Sequence, residues 1–157
     1  MPNFPITLRP ATEADHATLH ALDDRLIAEA SLPGATREDF QRFQRRFTDA
    51  TLADNDPKSR LIVAEGERGA ILGYMHLKPI HDDVLDCETG YLSIIAVAET
   101  ATGQGIGRLL MQAAEDWARE QDYPSLLLDV FASNETARGF YARADFVEDS
   151  VRLRRAI

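Results

Sequence analysis

The chain has one cysteine, one tryptophan and too few positive charges to match its negative ones. A single cysteine, Cys87, excludes an internal disulfide and fits a reducing compartment. It lies in an apolar-leaning strand, where filler and nucleophile are both open readings. No apolar run approaches the roughly 18 residues of a membrane span, and residues 1–30 carry no signal-peptide core. A soluble, cytoplasmic protein that does not engage membranes is expected. With 17 basic residues against 26 acidic ones, the net charge of −9 argues against a nucleic-acid partner, whose backbone demands a basic surface. The local basic cluster, Arg152, Arg154 and Arg155, reads as a charged strand edge protected from pairing. An acidic surface draws cations instead, amines among them. No metal is expected.

What is present is ordinary globular material. Its 157 residues suit one domain, 1–157, without repeats or a linker. Ile6–Arg9 alternates as a strand. Thr12–Asp15 caps a helix with Leu19, Leu22 and Leu26 on its buried face. Ser31–Gly34 breaks the chain, and Thr36–Asp39 caps a second helix carrying Phe40, Phe43 and Phe47. Helical spacing favours core packing for these rings, with lining of a substrate cleft as the other reading. Arg60–Glu65 and Ala70–Lys78 read as a hairpin across Gly66–Gly69, and His81–Asp83 as a polar tip before a strand ending near Val97. Further strands are expected at Ser125–Phe131 and Phe146–Leu153, with a helix over Asn134–Ala144 between them. The order β-α-α-β-β-β-α-β-α-β predicts an α/β fold, a mixed sheet with helices on both faces.

One segment carries more information than the rest. Tyr91–Val97 is a β-rich run, AETATGQGIG follows, and Ile106, Leu109, Leu110, Ala113, Ala114 and Trp117 then mark one face of a helix. Gly103, Gly105 and Gly107 stand where that helix begins. The first backbone N–H groups of a helix have no partner within it, and glycines leave them open to a ligand. Such an end favours anions, phosphate above all. A P-loop would need lysine and Ser or Thr after its last glycine, but Arg108 and Leu109 follow Gly107. A dinucleotide fingerprint would need a third glycine at a spacing absent here.

TGQGIGRLL resembles the pyrophosphate loop of the GCN5-related N-acetyltransferases (GNAT), written Arg or Gln, two residues, Gly, one residue, Gly or Ala. Gly105 and Gly107 match its glycines, while Thr102 stands where the family usually has Arg or Gln. Asn134, Ala137, Phe140, Tyr141 and Phe146 are spaced as in the family's second signature, with Asp145 in place of its glycine. Asp tolerates the left-handed conformation that ends a helix. The resemblance covers about residues 91–146, the expected acetyl-CoA-binding core. It implies a GNAT-like, mostly antiparallel sheet in which the strand ending at Val97 splays from Ser125–Phe131. Pantetheine amides would then meet the backbone of Ile95, Ala96 and Val97. Phosphates would sit on Gly103, Gln104, Gly105, Ile106, Gly107 and Arg108; the Arg108 side chain adds a charge-assisted contact or is simply solvated. Asn134 caps its helix and contacts the cofactor in the same reading.

Acetyl transfer from a thioester to an amine needs a neutral amine, a stabilised oxyanion and a proton for the departing thiolate. The resemblance assigns the last role to Tyr141, whose phenol stays protonated at neutral pH. Periodicity by itself would make Tyr141 a core residue. The base is less clearly marked. Many relatives carry a glutamate on the strand before the loop, but Tyr91 and Ser93 are not acids. Glu88 is the preferred base, Asp86 a second acid nearby, and His76 and His81 stand outside these. The expected activity is direct transfer from acetyl-CoA to the amine of a small molecule or peptide in a ternary complex. A non-catalytic acyl-CoA-binding sensor is the alternative, and a homodimer is compatible with the family's habit. The acceptor is expected between Ser31–Thr36 and the second helix on one side and His81–Glu88 on the other.

Overall fold

The computed structural model describes residues 4–157, so the first three residues of the expected domain lie outside the described part. Five strands, β1 (Thr7–Pro10), β2 (Arg60–Glu65), β3 (Ile71–Asp82), β4 (Cys87–Val97) and β5 (Leu126–Leu127), form one sheet in that order. The first four are antiparallel, and β5 joins β4 in parallel. The β2–β3 connection follows the glycines at its ends. Gly66 N–H donates to Ala70 O at 2.8 Å, and the chain turns through left-handed Arg68 and Gly69.

Helices cover both faces. On one lie α1 (His16–Ala21), α2 (Asp23–Leu26) and α3 (Arg37–Leu52); on the other lie α4 (Ile106–Glu120) and α5 (Glu135–Arg143). The first helix expected from Thr12 is broken at Leu22, because Leu19, Leu22 and Leu26 turn onto Val63, Tyr74, Ile94 and Ala96 in two short pieces. Its start is fixed by Asp15, which accepts from Thr12 N–H at 2.8 Å and pairs with Arg9 Nη1 at 2.8 Å. Helix α3 opens on the expected cap: Thr36 Oγ1 accepts from Asp39 N–H at 3.2 Å, and Asp39 accepts from Thr36 N–H at 2.8 Å. Helix α4 lays Ile106, Leu110, Ala114 and Trp117 against Met75, Leu77 and Leu92. Of the apolar stripe read from the sequence, Ile106, Leu110, Ala114 and Trp117 are buried, Ala113 is half-buried, and Leu109 is exposed.

Two expectations are corrected at the C-terminal end. The strand expected over Ser125–Phe131 keeps only Leu126 and Leu127, because Phe131 packs edge-on against Phe40 of α3 with ring centroids 5.4 Å apart. That contact carries the chain away from β4. The strand expected over Phe146–Leu153 does not form. Asp145 ends α5 with φ 63°, as its replacement of glycine predicts, but among the described residues no strand pairs with those that follow. Val147, Val151 and Leu153 are 87%, 69% and 88% exposed. Alternation marks the two faces of a strand and is silent about whether a partner ladder exists.

Candidate active site

The sheet opens into a fork between β4 and β5. The two pair only at Gly90–Leu126 and Tyr91–Leu127. Tyr91 O–H donates to Asp129 Oδ2 at 2.7 Å at the mouth of this fork. Toward β3, in contrast, β4 is paired along its whole length, with one irregularity where His76 faces Ile94 but Leu77 faces Leu92. Ser93 is the residue left over, between Leu92 and Ile94, and its hydroxyl meets His76 of β3. Such a bulge re-aims side chains next to a site.

The register decides which backbone groups face the fork. Ala98 N–H donates to Leu72 O at 2.8 Å, and antiparallel alternation then turns Ala96 and Ile94 toward β3 as well. The groups of Ile95 and Val97 are left directed outward. Of the three residues expected on the pantetheine arm, Ile95 and Val97 therefore have the suitable direction and Ala96 does not.

At the end of the fork a short 3-10 turn, Glu99–Ala101, leads into the glycine loop and α4. Gly103 and Gly105 have φ of 77° and 81°, and a Cβ at either would meet no atom within 4 Å. They are required for the turn itself and leave the space in front of it clear. Gly105 is the N-cap of α4 and contributes no side-chain hydrogen bond, so the first N–H groups of a 15-residue helix point outward uncapped. Gly107 lies against α5, where a Cβ would come within 3.4 Å of the Phe140 ring. Gln104 donates to Thr100 O at 3.0 Å within the loop, and Arg108 is exposed on the first turn. These features fit a pyrophosphate, which wants open donors at a positive helix end.

Arg25 of α2, which the sequence did not single out, reaches the same loop. Its Nη2 donates to Thr102 Oγ1 at 3.3 Å and its Nε to Val97 O at 3.3 Å. A guanidinium thus stands beside the position where the family motif usually carries its own Arg or Gln. Its signal in the sequence is weak, since 77 residues separate it from Thr102.

Helix α5 carries the expected site residues Asn134 and Tyr141. Asn134 Oδ1 accepts from Ala137 N–H at 3.0 Å, the expected cap. Tyr141 packs between Phe140 and Phe146 against the α4 core, and burial pushes its phenol up to about 12. It is a protonated donor throughout the neutral range. The Ser31–Thr36 loop is tied to the start of α5: Ser31 N–H donates to Ser133 Oγ at 2.9 Å, and Thr136 Oγ1 donates to Glu29 at 2.6 Å.

Glu88, the expected base, sits low on β4 and is engaged. Lys58 Nζ donates to it at 2.5 Å and Tyr123 O–H at 3.0 Å. The lysine ammonium first, then the phenol, hold its carboxyl below the ordinary range. Asp86 and His81 pair with each other at 3.3 Å on the exposed hairpin tip. Cys87 opens β4 opposite Asp82 and is a free thiol. His76 is different. It is 3% exposed, its Nε2 lies 2.8 Å from Asp54 Oδ2, and its Nδ1 lies 2.5 Å from Ser93 Oγ. A cavity of about 290 Å³ opens in front of this group, lined by Phe47, Ala50, Asp54, Asp56, Lys78 and Pro79 among others. Of the three expected rings, Phe40 is core, Phe43 is partly exposed and Phe47 borders the cavity. Among the described residues no His, Cys, Asp and Glu side chains group as a metal site would. No described helix is long and apolar enough to cross a membrane.

A forked sheet with an uncapped glycine-rich helix end at its top is the frame of an acyl-CoA-using transferase. Residues 20–146 match the acetyltransferase (GNAT) family, and the chain belongs to it. It is similar to the uncharacterized N-acetyltransferase YdgE of Bacillus subtilis strain 168, with 22% identity over 96% of this chain and 98% of that protein. Among solved structures, a Pyrococcus furiosus protein described as an acetyl transferase superposes with a TM-score of 0.78, at 22% identity over 98% of this chain and all of that one. An aminoglycoside N-acetyltransferase, AAC(6')-Iy in complex with CoA, superposes with a TM-score of 0.68, at 16% identity over 99% and 97% of the two chains. At these identities the two structures speak for the fold.

Proposed function

We propose that the protein transfers an acetyl group directly from acetyl-CoA to a primary amine, with donor and acceptor bound together. The observation that carries this reading is the fork. A strand with outward backbone groups at Ile95 and Val97 leads through a short 3-10 turn and the glycine loop into a helix end whose N–H groups are open. The first suits the amides of a pantetheine arm and the second its pyrophosphate. When bound, the donor supplies an activated thioester carbonyl. Gly103 to Arg108 would hold its phosphates, with Arg25 adding charge. Asn134 fixes the start of α5, and Tyr141 presents a proton to the leaving sulfur. The acceptor is a small-molecule amine, or a peptide amine as second choice. A non-catalytic acyl-CoA sensor on the same fold is the competing reading, opposed by the protonated, desolvated Tyr141 at the family's position.

Calorimetric titration with acetyl-CoA and CoA tests the donor site. Binding is expected for the wild type and is expected to be lost in Gly105→Glu, where a side chain and a negative charge meet both a left-handed backbone and the phosphate cradle. No binding by wild type would overturn the reading. Release of CoA thiol in the presence of primary amines then separates enzyme from sensor.

A further inference from the structure

Asp54, His76 and Ser93 come from three elements, the turn after α3, the middle of β3 and the bulge of β4. They form one hydrogen-bonded line. An ionised Asp54 accepts from Nε2–H of His76, and that tautomer leaves Nδ1 bare to accept the Ser93 hydroxyl proton. Ser93 keeps its lone pairs for whatever enters the cavity, and it lies on β4 two residues beyond Tyr91, the last that pairs with β5. The line therefore joins the cavity to the fork. We propose that Ser93, His76 and Asp54 form the proton-accepting end of the acceptor site, and that the cavity before them takes a primary monoamine with a short apolar body. This deepens the acetyl-transfer reading and rests on it.

The walls specify the ligand. Asp54 and Asp56 offer negative charge to an ammonium group, while Phe47, Ala50 and Pro79 offer apolar surface. Lys78 also lines the cavity and disfavours a second cation on the ligand. The charged and titratable groups that face His76 are Asp54 and Asp56 from the turn after α3 and Lys78 from its own strand; Ser93 is its uncharged partner on β4. Burial, the largest influence, lowers the pKa of His76 below its ordinary value; Asp54 opposes this and Lys78 reinforces it. The imidazole is thus neutral at neutral pH, as a base must be.

The protons and bonds balance. The ammonium N–H bond breaks as its proton passes to Ser93 Oγ, while the Ser93 O–H proton passes to His76 Nδ1, giving an imidazolium held by Asp54. The free amine attacks the thioester carbon: a C–N bond forms, the C–S bond breaks, and the second nitrogen proton replaces the one Tyr141 gives to sulfur. The imidazolium returns its proton to solvent. Acetamide, CoA thiol and one released proton are the products.

The test compares wild type with Ser93→Ala, His76→Gln and Asp54→Asn, using phenethylamine and putrescine as acceptors. His76→Gln is expected to lower kcat with phenethylamine roughly 100-fold. Ser93→Ala is expected to lower it roughly tenfold, since water replaces the hydroxyl imperfectly. Acetyl-CoA affinity, measured separately, stays unchanged in all three. The wild-type rate falls on the acid side in a limb below about pH 6.5, and Asp54→Asn moves that limb further down. Independently of turnover, nitrogen-15 NMR of His76 in the wild type should report a neutral ring protonated at Nε2. If His76→Gln fails to fold, Ser93→Ala, which removes one oxygen, carries the test. Wild-type kcat in the variants, a ring protonated at Nδ1, or putrescine preferred to phenethylamine would overturn the proposal while donor binding stands. Absence of acetyl-CoA binding would instead strike the acetyl-transfer reading itself.

Discussion

The two faces of this sheet are built differently. Helix α4 is one continuous element of 15 residues that both packs the core and ends in the glycine cradle. On the other face α1 and α2 are pieces of six and four residues, followed by a separate α3. One face carries the open helix end that, on the reading proposed above, suits a phosphate. The other borders its cavity with a helix end, a turn and two strands. A contiguous cradle and an acceptor cavity assembled from distant segments would thus share one sheet.

Packing offers the strongest way to break that contrast. Leu110 is fully buried in the α4 core, and Leu110→Ala is expected to cost about 3 kcal/mol of stability. Leu22 lies at the break between α1 and α2, where the neighbours can relax, and Leu22→Ala should cost closer to about 2 kcal/mol. Chemical denaturation of both variants checks the difference. Equal losses would mean that the segmented face is as tightly coupled as the continuous one.

Next in size is Tyr141→Phe. The variant keeps the ring contacts to Phe140 and Phe146 and removes only the hydroxyl. A loss of roughly 100-fold in kcat with acetyl-CoA affinity retained is expected if the phenol protonates sulfur. Unchanged kcat would confine Tyr141 to packing. Because the phenol is raised to about 12, no basic limb from Tyr141 should appear in the rate profile through neutral pH. Deprotonation, and loss of the donor, comes only as pH rises toward that value.

One face is far more legible in the sequence than the other, for a physical reason. The cradle is contiguous: strand, glycines and helix follow one another, and each leaves a local mark in backbone requirement or apolar period. Asn134 as a cap and Asp145 as a left-handed stop are legible in the same way. The line Asp54–His76–Ser93 leaves no such mark, because its members are 22 and 17 residues apart and meet only through strand register and a bulge. In the sequence Ser93 stands out only for not being an acid; that its hydroxyl meets His76 on the neighbouring strand is a tertiary fact. Glu88 looks free in the sequence for the converse reason, since Lys58 and Tyr123 find it only once the chain is folded. The missing last strand shows the same limit from the side of pairing.

The smallest expected effect tests whether the two faces meet at the cofactor. Arg25 belongs to the segmented face yet bonds Val97 O and Thr102 at the edge of the cradle. It is exposed, so its attraction for a phosphate is moderated by solvent and salt. Arg25→Ala should weaken acetyl-CoA binding roughly fivefold at low salt, a difference of about 1 kcal/mol that shrinks as salt is added. Arg25→Lys should recover only part of it, because a point charge cannot serve carbonyl, hydroxyl and phosphate together. Affinity unaffected by either change would leave Thr102 without a substitute for the family's Arg or Gln, and the cradle would then rest on backbone N–H groups and the end of α4. A salt-dependent loss would instead make α2 part of the donor site, coupling the segmented face to the continuous one at a single guanidinium.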